Sequence, residues 1–248
     1  MNNSIGYIIN KVQEYSAIPS VTYKEKQFLE YLETEIPTKH YTMENHIPKY
    51  LFYKYNGKTK WLVLAHVDRI TVPSFKFQIQ NSRLVGQLDN VISVAICRHL
   101  MEQHMPFDFM FTTQEENCNS ADQIIEVWDR NSDYYVLDLD IDVAVQESEI
   151  DRGVISLRSR DNNAPYNHEL VGLLRKNAEQ HKVPYIKKNR DWLVCQIGMA
   201  LEKKPGMKGC YFGLPIWNYH SNSEIINLEC VKNAVKLFNV IRENAWGI

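Results

Sequence analysis

The stretch Phe109-Met110-Phe111-Thr112-Thr113-Gln114-Glu115-Glu116-Asn117 is a short apolar run that ends on two adjacent carboxylates. Such a run is typical of a buried strand, and it places Glu115 and Glu116 at the carboxyl end of that strand. Open α/β sheets bind their ligands at this edge. Because side chains alternate along a strand, we expect the two neighbours to point in different directions and to serve different roles.

Segments of strand and helix character alternate along the rest of the chain. Strands are predicted at 50–55, 61–65, 107–113, 134–141, 154–157, 184–186 and 209–212, with a hairpin at 75–85. Helices are predicted at 4–17, 22–36, 91–101, 120–128, 165–181, from 191 and at 228–241. This alternation predicts an α/β fold, a three-layer α/β/α sandwich around a mixed, mainly parallel sheet.

Composition and charge exclude several classes of protein. The 248 residues are 44% hydrophobic and 23% charged, which is ordinary for a globular protein. No linker rich in Gly, Ser or Pro divides the chain, so we expect a single domain over residues 1–248. The net charge is −2 and no long basic run occurs, which argues against a nucleic-acid partner. No apolar run approaches the roughly 20 residues that span a bilayer, so no membrane partner is expected.

The N-terminus and the cysteines indicate a cytoplasmic protein. Residues 1–6 have neither the basic region nor the apolar core of a signal peptide. The five cysteines contain no C-x-x-C pair, and their odd number leaves at least one unpaired. Reduced thiols of this kind are typical of the cytosol.

Polar residues of one chemical kind occur where the predicted apolar runs end. They are two histidines and several carboxylates: His66, Asp68, Asp89, Glu115, Glu116, Asp138, Asp140 and His220. Imidazole and carboxylate groups are the ligands that zinc and similar ions use. The sequence therefore predicts a metal site at the carboxyl edge of the sheet.

Each of these residues also has a structural alternative. A lone histidine can be a hydrogen-bonded core residue, and Asp89 can be a helix N-cap. Taken together, however, an uncompensated cluster of acids would repel itself, and bound cations resolve the conflict. The acids from Asp138 to Asp142, with Glu149, also fit an EF-hand loop. Val143 occupies the position that requires Gly there, and the period of two favours a strand.

Four motifs together resemble the co-catalytic zinc exopeptidase superfamily, which has the zinc exopeptidase or phosphorylase/hydrolase-like fold. They are Ala65-His66-Val67-Asp68, Gly86-Gln87-Leu88-Asp89-Asn90, Thr113-Gln114-Glu115-Glu116 and Tyr219-His220-Ser221-x-x-Glu224. The superfamily includes di-zinc aminopeptidases, carboxypeptidase and deacylase relatives, and glutaminyl cyclases. The resemblance runs from about residue 61 to the C-terminus.

The resemblance implies two divalent ions, Zn²⁺ first, with Co²⁺ or Mn²⁺ also compatible. It assigns His66 and Asp140 to one ion, Glu116 and His220 to the other, and Asp89 to both. Asp138 is the weaker candidate for the position of Asp140.

The resemblance also implies the catalytic roles. Glu115 would be the general base, and Asp68 would hydrogen-bond His66. A cis peptide is expected between Asp89 and Asn90.

Motif spacing narrows the expected function. Asp89 follows His66 by 23 residues and His220 follows Asp140 by 80. These intervals are too short for the extra β-domain and for the dimerisation lid of larger relatives. We therefore expect an aminopeptidase that hydrolyses the N-terminal peptide bond of peptides.

Three alternatives stay open at this point. One is an amidohydrolase or deacylase acting on N-acyl amino acids, and another is a glutaminyl-cyclase-like acyltransferase with a single zinc. The third is a non-catalytic metal-binding relative. The segment Asn117-Cys118-Asn119 departs from the Gly that relatives often have after the paired glutamates.

Overall fold

An eight-stranded mixed sheet forms the centre of the computed structural model, which describes residues 3–36, 39–70, 77–189 and 191–243. Its strand order is β1-β2-β6-β3-β7-β10-β8-β9, and a second, three-stranded sheet has the order β11-β5-β4. The strands are β1 Tyr41–His46, β2 Tyr50–Tyr55, β3 Trp61–His66, β4 Gln78–Gln80, β5 Arg83–Gly86, β6 Asp108–Thr112, β7 Tyr135–Val143, β8 Ile155–Arg158, β9 Tyr185–Lys188, β10 Lys208–Ile216 and β11 Glu224–Asn227.

The middle of the large sheet is parallel. Strands β6, β3, β7 and β10 pair in parallel, so their carboxyl ends share one edge. Strands β1 and β2 add to one side in antiparallel fashion, and β8 pairs antiparallel with β10 on the other side. Strands β3 and β6 are buried along their whole length, because both faces of the sheet are covered.

Eight α-helices within the described residues supply the covering layers. They are α1 Asn3–Ser16, α2 Lys26–Glu35, α3 Val91–Glu102, α4 Ala121–Arg130, α5 Ser148–Asp151, α6 His168–Gln180, α7 Gln196–Lys203 and α8 Leu228–Glu243. Helices α1, α3 and α8 contact one another, and α4 and α7 form a separate contacting pair. The three-layer α/β/α prediction is confirmed. None of these helices is both long and apolar enough to cross a membrane.

Several element boundaries differ from the predictions for local reasons. The helix predicted from residue 22 begins at Lys26, because Val21 forms a bridge with Arg69 and the Thr22 hydroxyl donates to Asp68. The helix predicted from 191 begins at Gln196. Strands β1 and β11 were not predicted, since each is short and only partly buried. Residues 75 and 76 of the predicted hairpin lie outside the described residues.

The acids between 138 and 142 lie within strand β7. The strand interpretation of this segment is therefore confirmed, and the EF-hand alternative is wrong.

The small sheet brings two site segments together. Strand β11 pairs antiparallel with β5, and Glu224 lies opposite Gly86. The chain continues from Gly86 to Asp89, while the segment before Glu224 carries His220. Both segments thus approach the carboxyl edge of the parallel strands.

Candidate metal centre

His66 is the last residue of β3, and its imidazole ring is oriented by Asp68. Its Nδ1 lies 3.2 Å from the Asp68 carbonyl oxygen and 3.4 Å from Asp68 Oδ1. Its Nε2 therefore faces the acids, 3.2 Å from Asp140 Oδ1 and 3.3 Å from Asp89 Oδ1. A ring held in this way presents the free nitrogen that a metal ligand needs.

Asp89 lies between the two histidines. One carboxylate oxygen faces His66, and the other lies 3.5 Å from His220 Nε2. The residue lies just before Asn90, the N-cap of α3, and the peptide bond between the two is cis, as the resemblance implied. A carboxylate with one oxygen toward each histidine has the arrangement of a bridging ligand.

Glu115 and Glu116 contact different histidines. Glu116 Oε2 lies 3.2 Å from His220 Nε2, whereas Glu115 Oε2 lies 4.0 Å from His66 Nε2. The two residues begin a short 3₁₀ turn, Glu115–Asn117, that follows β6. This turn, rather than strand alternation, separates their side chains.

Asp68 organises more of the site than its contact with His66. Its Oδ1 accepts the backbone N–H of Glu115, and its Oδ2 accepts that of Glu116, both at 3.1 Å. The Thr22 hydroxyl also donates to Oδ2 at 3.1 Å. This fully buried carboxylate therefore fixes both the ring of His66 and the start of the glutamate turn.

The structure separates Asp140 from Asp138. Asp138 accepts hydrogen bonds from Gln196 Nε2 at 2.7 Å and from the Ile197 backbone N–H at 3.4 Å, both in α7. Its carboxylate is thereby occupied away from the histidines. Asp140 is the acid of β7 that reaches His66.

The donor set fits divalent cations. Three buried atoms, Asp89 Oδ1, Glu116 Oε1 and His220 Nε2, make no hydrogen bond of good geometry, although His66 Nε2 lies 3.3 Å from Asp89 Oδ1 and His220 Nε2 lies 3.2 Å from Glu116 Oε2. Buried polar atoms are normally satisfied, so an unmatched group of this kind indicates a ligand. One ligand atom from each of His66, Asp89 and Glu116 also lies within 4.8 Å of the other two.

Electrostatics support the same interpretation. Burial raises the pKa of Glu116 to about 7 and raises the pKa of Glu115 well above its usual value. Burial opposes the charging of His220, yet Asp89 and Glu116 outweigh it and raise its pKa to about 9. Protonated histidines thus balance the acids when metal is absent, and divalent cations would take the place of those protons.

Two residues of the site had no role assigned from the sequence. The Tyr219 ring stacks on the His220 ring with centroids 3.5 Å apart. Glu224 is buried and accepts backbone hydrogen bonds from both the Asp89 and the His220 segments. The signal for Glu224 was its place in the motif that follows His220.

A recess opens beside the acids. Its walls include four aliphatic side chains and the metal-site residues, and Arg158 and Tyr211 also line it. The aliphatic residues are Ile141, Val143, Leu193 and Val194. Arg158 is 2% exposed and donates to Asp142 at 2.7 Å, so its charge is already paired.

Comparisons with known proteins agree with this geometry. A family model described as M42 glutamyl aminopeptidase matches residues 66–237. No curated protein matches the sequence significantly.

Several solved structures share the fold. An aminopeptidase from the archaeon Desulfurococcus kamchatkensis superposes with a TM-score of 0.77 at 13% identity, covering 96% of this chain and 95% of that one. The TET1 peptidase of Pyrococcus horikoshii, which can assemble into a tetrahedron or a large octahedral shell, has a TM-score of 0.74 at 15% identity, covering 95% and 99%. A TET aminopeptidase from a marine sediment Thaumarchaeota archaeon has a TM-score of 0.74 at 14% identity, covering 97% and 96%.

Proposed function

The chain belongs to the M42 glutamyl aminopeptidase family and is a metal-dependent aminopeptidase, and we propose that it works with two divalent ions and with Glu115 as general base. The observation that carries this proposal is the position of Asp89. Its two carboxylate oxygens lie 3.3 Å from His66 Nε2 and 3.5 Å from His220 Nε2.

We assign the ligands in two sets that share Asp89. His66 and Asp140 hold one ion, and Glu116 and His220 hold the other. The 3.2 Å contacts within each pair support this division. Zn²⁺ suits these ligands best, and Co²⁺ or Mn²⁺ is also compatible. When bound, such ions lower the pKa of a water molecule and stabilise the negative charge that develops on the scissile carbonyl oxygen.

Glu115 would accept the proton of the attacking water and return it to the leaving amine. Its side chain is largely buried beside the ligands, and the Asp68 carboxylate fixes its backbone. Burial raises its pKa, while nearby cations would lower it again toward the working pH. A general base is most effective when its pKa lies near that pH.

The recess beside the site would take the free amine of the substrate, because its volume of about 20 Å³ leaves room for roughly one water-sized group. Ile141, Val143 and Val194 line it together with His66 and Glu115. A peptide bound in this way would have its free amine among the site carboxylates. Cleavage would then be confined to the first peptide bond.

We further propose one catalytic domain over residues 1–248, acting in the cytoplasm. The small sheet supports a single unit, because β11 contacts β10 of the large sheet. All five cysteines are free, in keeping with a reducing compartment.

The test is metal reconstitution with a substrate panel. Chelator-treated protein is titrated with Zn²⁺, Co²⁺ or Mn²⁺ and assayed on aminoacyl chromogenic substrates, on peptides with a free N-terminus and on the same peptides N-acetylated. We expect hydrolysis of the aminoacyl substrates and of the free peptides, none of the N-acetylated peptides, and two ions per chain.

Each alternative function has its own outcome when N-acyl amino acids and peptides with an N-terminal glutamine are added to this panel. Hydrolysis of N-acyl amino acids would favour a deacylase. Cyclisation of glutaminyl peptides with one ion per chain would favour an acyltransferase. Failure with all three metals on every substrate would favour a non-catalytic relative.

A further inference from the structure

Glu224 joins the two segments that carry Asp89 and His220. Its side chain is 1% exposed. Its Oε2 accepts the backbone N–H groups of Leu88 at 2.6 Å and of Asp89 at 3.0 Å. Its Oε1 accepts the backbone N–H of His220 at 2.9 Å. A single carboxylate therefore holds both segments.

We propose that Glu224 is a positioning residue that sets the distance between Asp89 and His220 and thereby the affinity of the metal position they share. This inference rests on the proposed two-ion site. Glu224 does not touch the reacting atoms in this scheme. It acts through the backbone of two ligands.

The segment that carries His220 needs such a contact. Asn218 and His220 both adopt positive φ angles, 57° and 59°. These angles lie in the left-handed region, which residues other than glycine adopt less readily. The base of the segment is tied by the bridge between Trp217 and Ile225. Between Trp217 and Ile225, the backbone N–H of His220 donates to the Glu224 carboxylate, and this hydrogen bond connects the segment directly to the one that carries Asp89.

The strand register explains why this acid can reach both sides. Glu224 is the first residue of β11 and lies opposite Gly86, the last residue of β5. Leu88 and Asp89 follow Gly86 closely in the chain, so their N–H groups converge on the carboxylate.

Substitution with glutamine tests this arrangement selectively. An amide has one acceptor oxygen, so Glu224→Gln can satisfy Leu88 and Asp89 or His220, but not both groups. If the amide oxygen keeps the hydrogen bonds from Leu88 and Asp89, the amide nitrogen faces the N–H of His220. Two donors then face each other, and no hydrogen bond forms. The affinity for the ion held by Asp89, Glu116 and His220 should therefore fall, while the affinity for the ion held by His66 and Asp140 is preserved.

The experiment compares Zn²⁺ binding by metal-free wild-type protein, Glu224→Gln and the control Glu229→Gln, using a competing chelator. Glu229 is an exposed acid at the start of α8. Wild type and control should bind two ions alike. In Glu224→Gln, one ion should bind as in wild type and the second about 10–100-fold more weakly, as is typical when an outer partner of a ligand is lost. Co²⁺ absorption spectra, which report ligand geometry, should change for one ion only.

Other results would overturn the proposal. If Glu224→Gln binds two ions with wild-type affinities, Glu224 has no positioning role. Equal weakening of both ions together with a lower melting temperature of the metal-free protein would indicate a purely structural role. If Glu224→Gln fails to fold, Glu224→Asp replaces it, since the shorter carboxylate spans only one segment and should cause the same selective loss. Wild-type protein that binds no ions would instead contradict the proposed function itself.

Discussion

Replacement of Glu115 by glutamine separates proton transfer from metal binding. The amide keeps the shape of the side chain but cannot accept a proton from water. Loss of a general base typically lowers kcat by about 10²–10⁴-fold, which corresponds to roughly 3–5 kcal/mol in the activation free energy. Metal content should stay near that of wild type, because Glu115 is proposed as the general base rather than as a ligand and lies 4.0 Å from His66 Nε2.

The same substitution should stabilise the metal-free protein. Burial raises the pKa of Glu115 well above its ordinary value of 4.5. A carboxyl whose pKa is higher in the folded than in the unfolded state stabilises the folded state at low pH, below its unfolded pKa. This stabilisation is lost as the pH rises through the folded pKa. At pH 7, which is above the unfolded pKa, wild-type protein has lost at least part of it, whereas glutamine never ionises. Metal-free Glu115→Gln should therefore melt at a higher temperature than metal-free wild type.

The assay combines steady-state kinetics on an aminoacyl chromogenic substrate, metal analysis and thermal melting of the metal-free protein. Glu116→Gln is the matched control, since its carboxylate lies 3.2 Å from His220 Nε2 and is assigned as a ligand. That variant should bind metal more weakly by at least the roughly 10–100-fold that is typical when only an outer partner of a ligand is lost. Near wild-type turnover by Glu115→Gln at full metal content would refute the general-base assignment. Metal loss in Glu115→Gln equal to that in Glu116→Gln would refute the division of roles.

Four further substitutions test other parts of the site and fold. Asp89→Ala should reduce the binding of both ions, as measured by metal analysis, and two tightly bound ions would contradict the bridging role. Asp140→Asn should weaken metal binding, whereas Asp138→Asn should not, because Asp138 is hydrogen-bonded to Gln196; equal metal loss would reverse that assignment. Burial raises the pKa of Asp108 from 3.8 to about 6, so the unfolding free energy of wild type should lose up to about 3 kcal/mol from this group between pH 4 and 7. In urea titrations Asp108→Asn should show a flatter pH profile, and an unchanged profile would exclude this group as the cause.

The sheet edge could be predicted because its polar residues directly follow apolar runs. His66 ends the buried strand β3, and Asp140 lies in the second half of β7. Parallel strands bring their carboxyl ends to one edge of the sheet regardless of the conformation of the loops. The convergence of these residues therefore follows from the fold class alone.

The contacts that orient the ligands could not be predicted. Glu224 lies 135 residues beyond Asp89 in the chain, and Asp68 accepts an N–H group 47 residues away, that of Glu115. Hydrogen bonds to backbone groups depend on loop geometry, which residue type and periodicity do not specify. The motif after His220 marked Glu224 as notable, but only the register of β11 against β5 shows what it holds.

The turn after β6 explains how Glu115 and Glu116 acquire different roles. Gln114 and Cys118 flank it with φ angles of 60° and 59°, the region that glycine adopts most readily. Cys118 donates its N–H to the Glu115 carbonyl at 2.7 Å, and Asn119 donates to Gln114 at 3.0 Å, so the turn closes without glycine. The departure at Asn117-Cys118 thus retains the left-handed geometry that a glycine would supply. Since Asp68 fixes the N–H groups of both glutamates, this backbone, rather than strand alternation, directs Glu115 toward His66 and Glu116 toward His220.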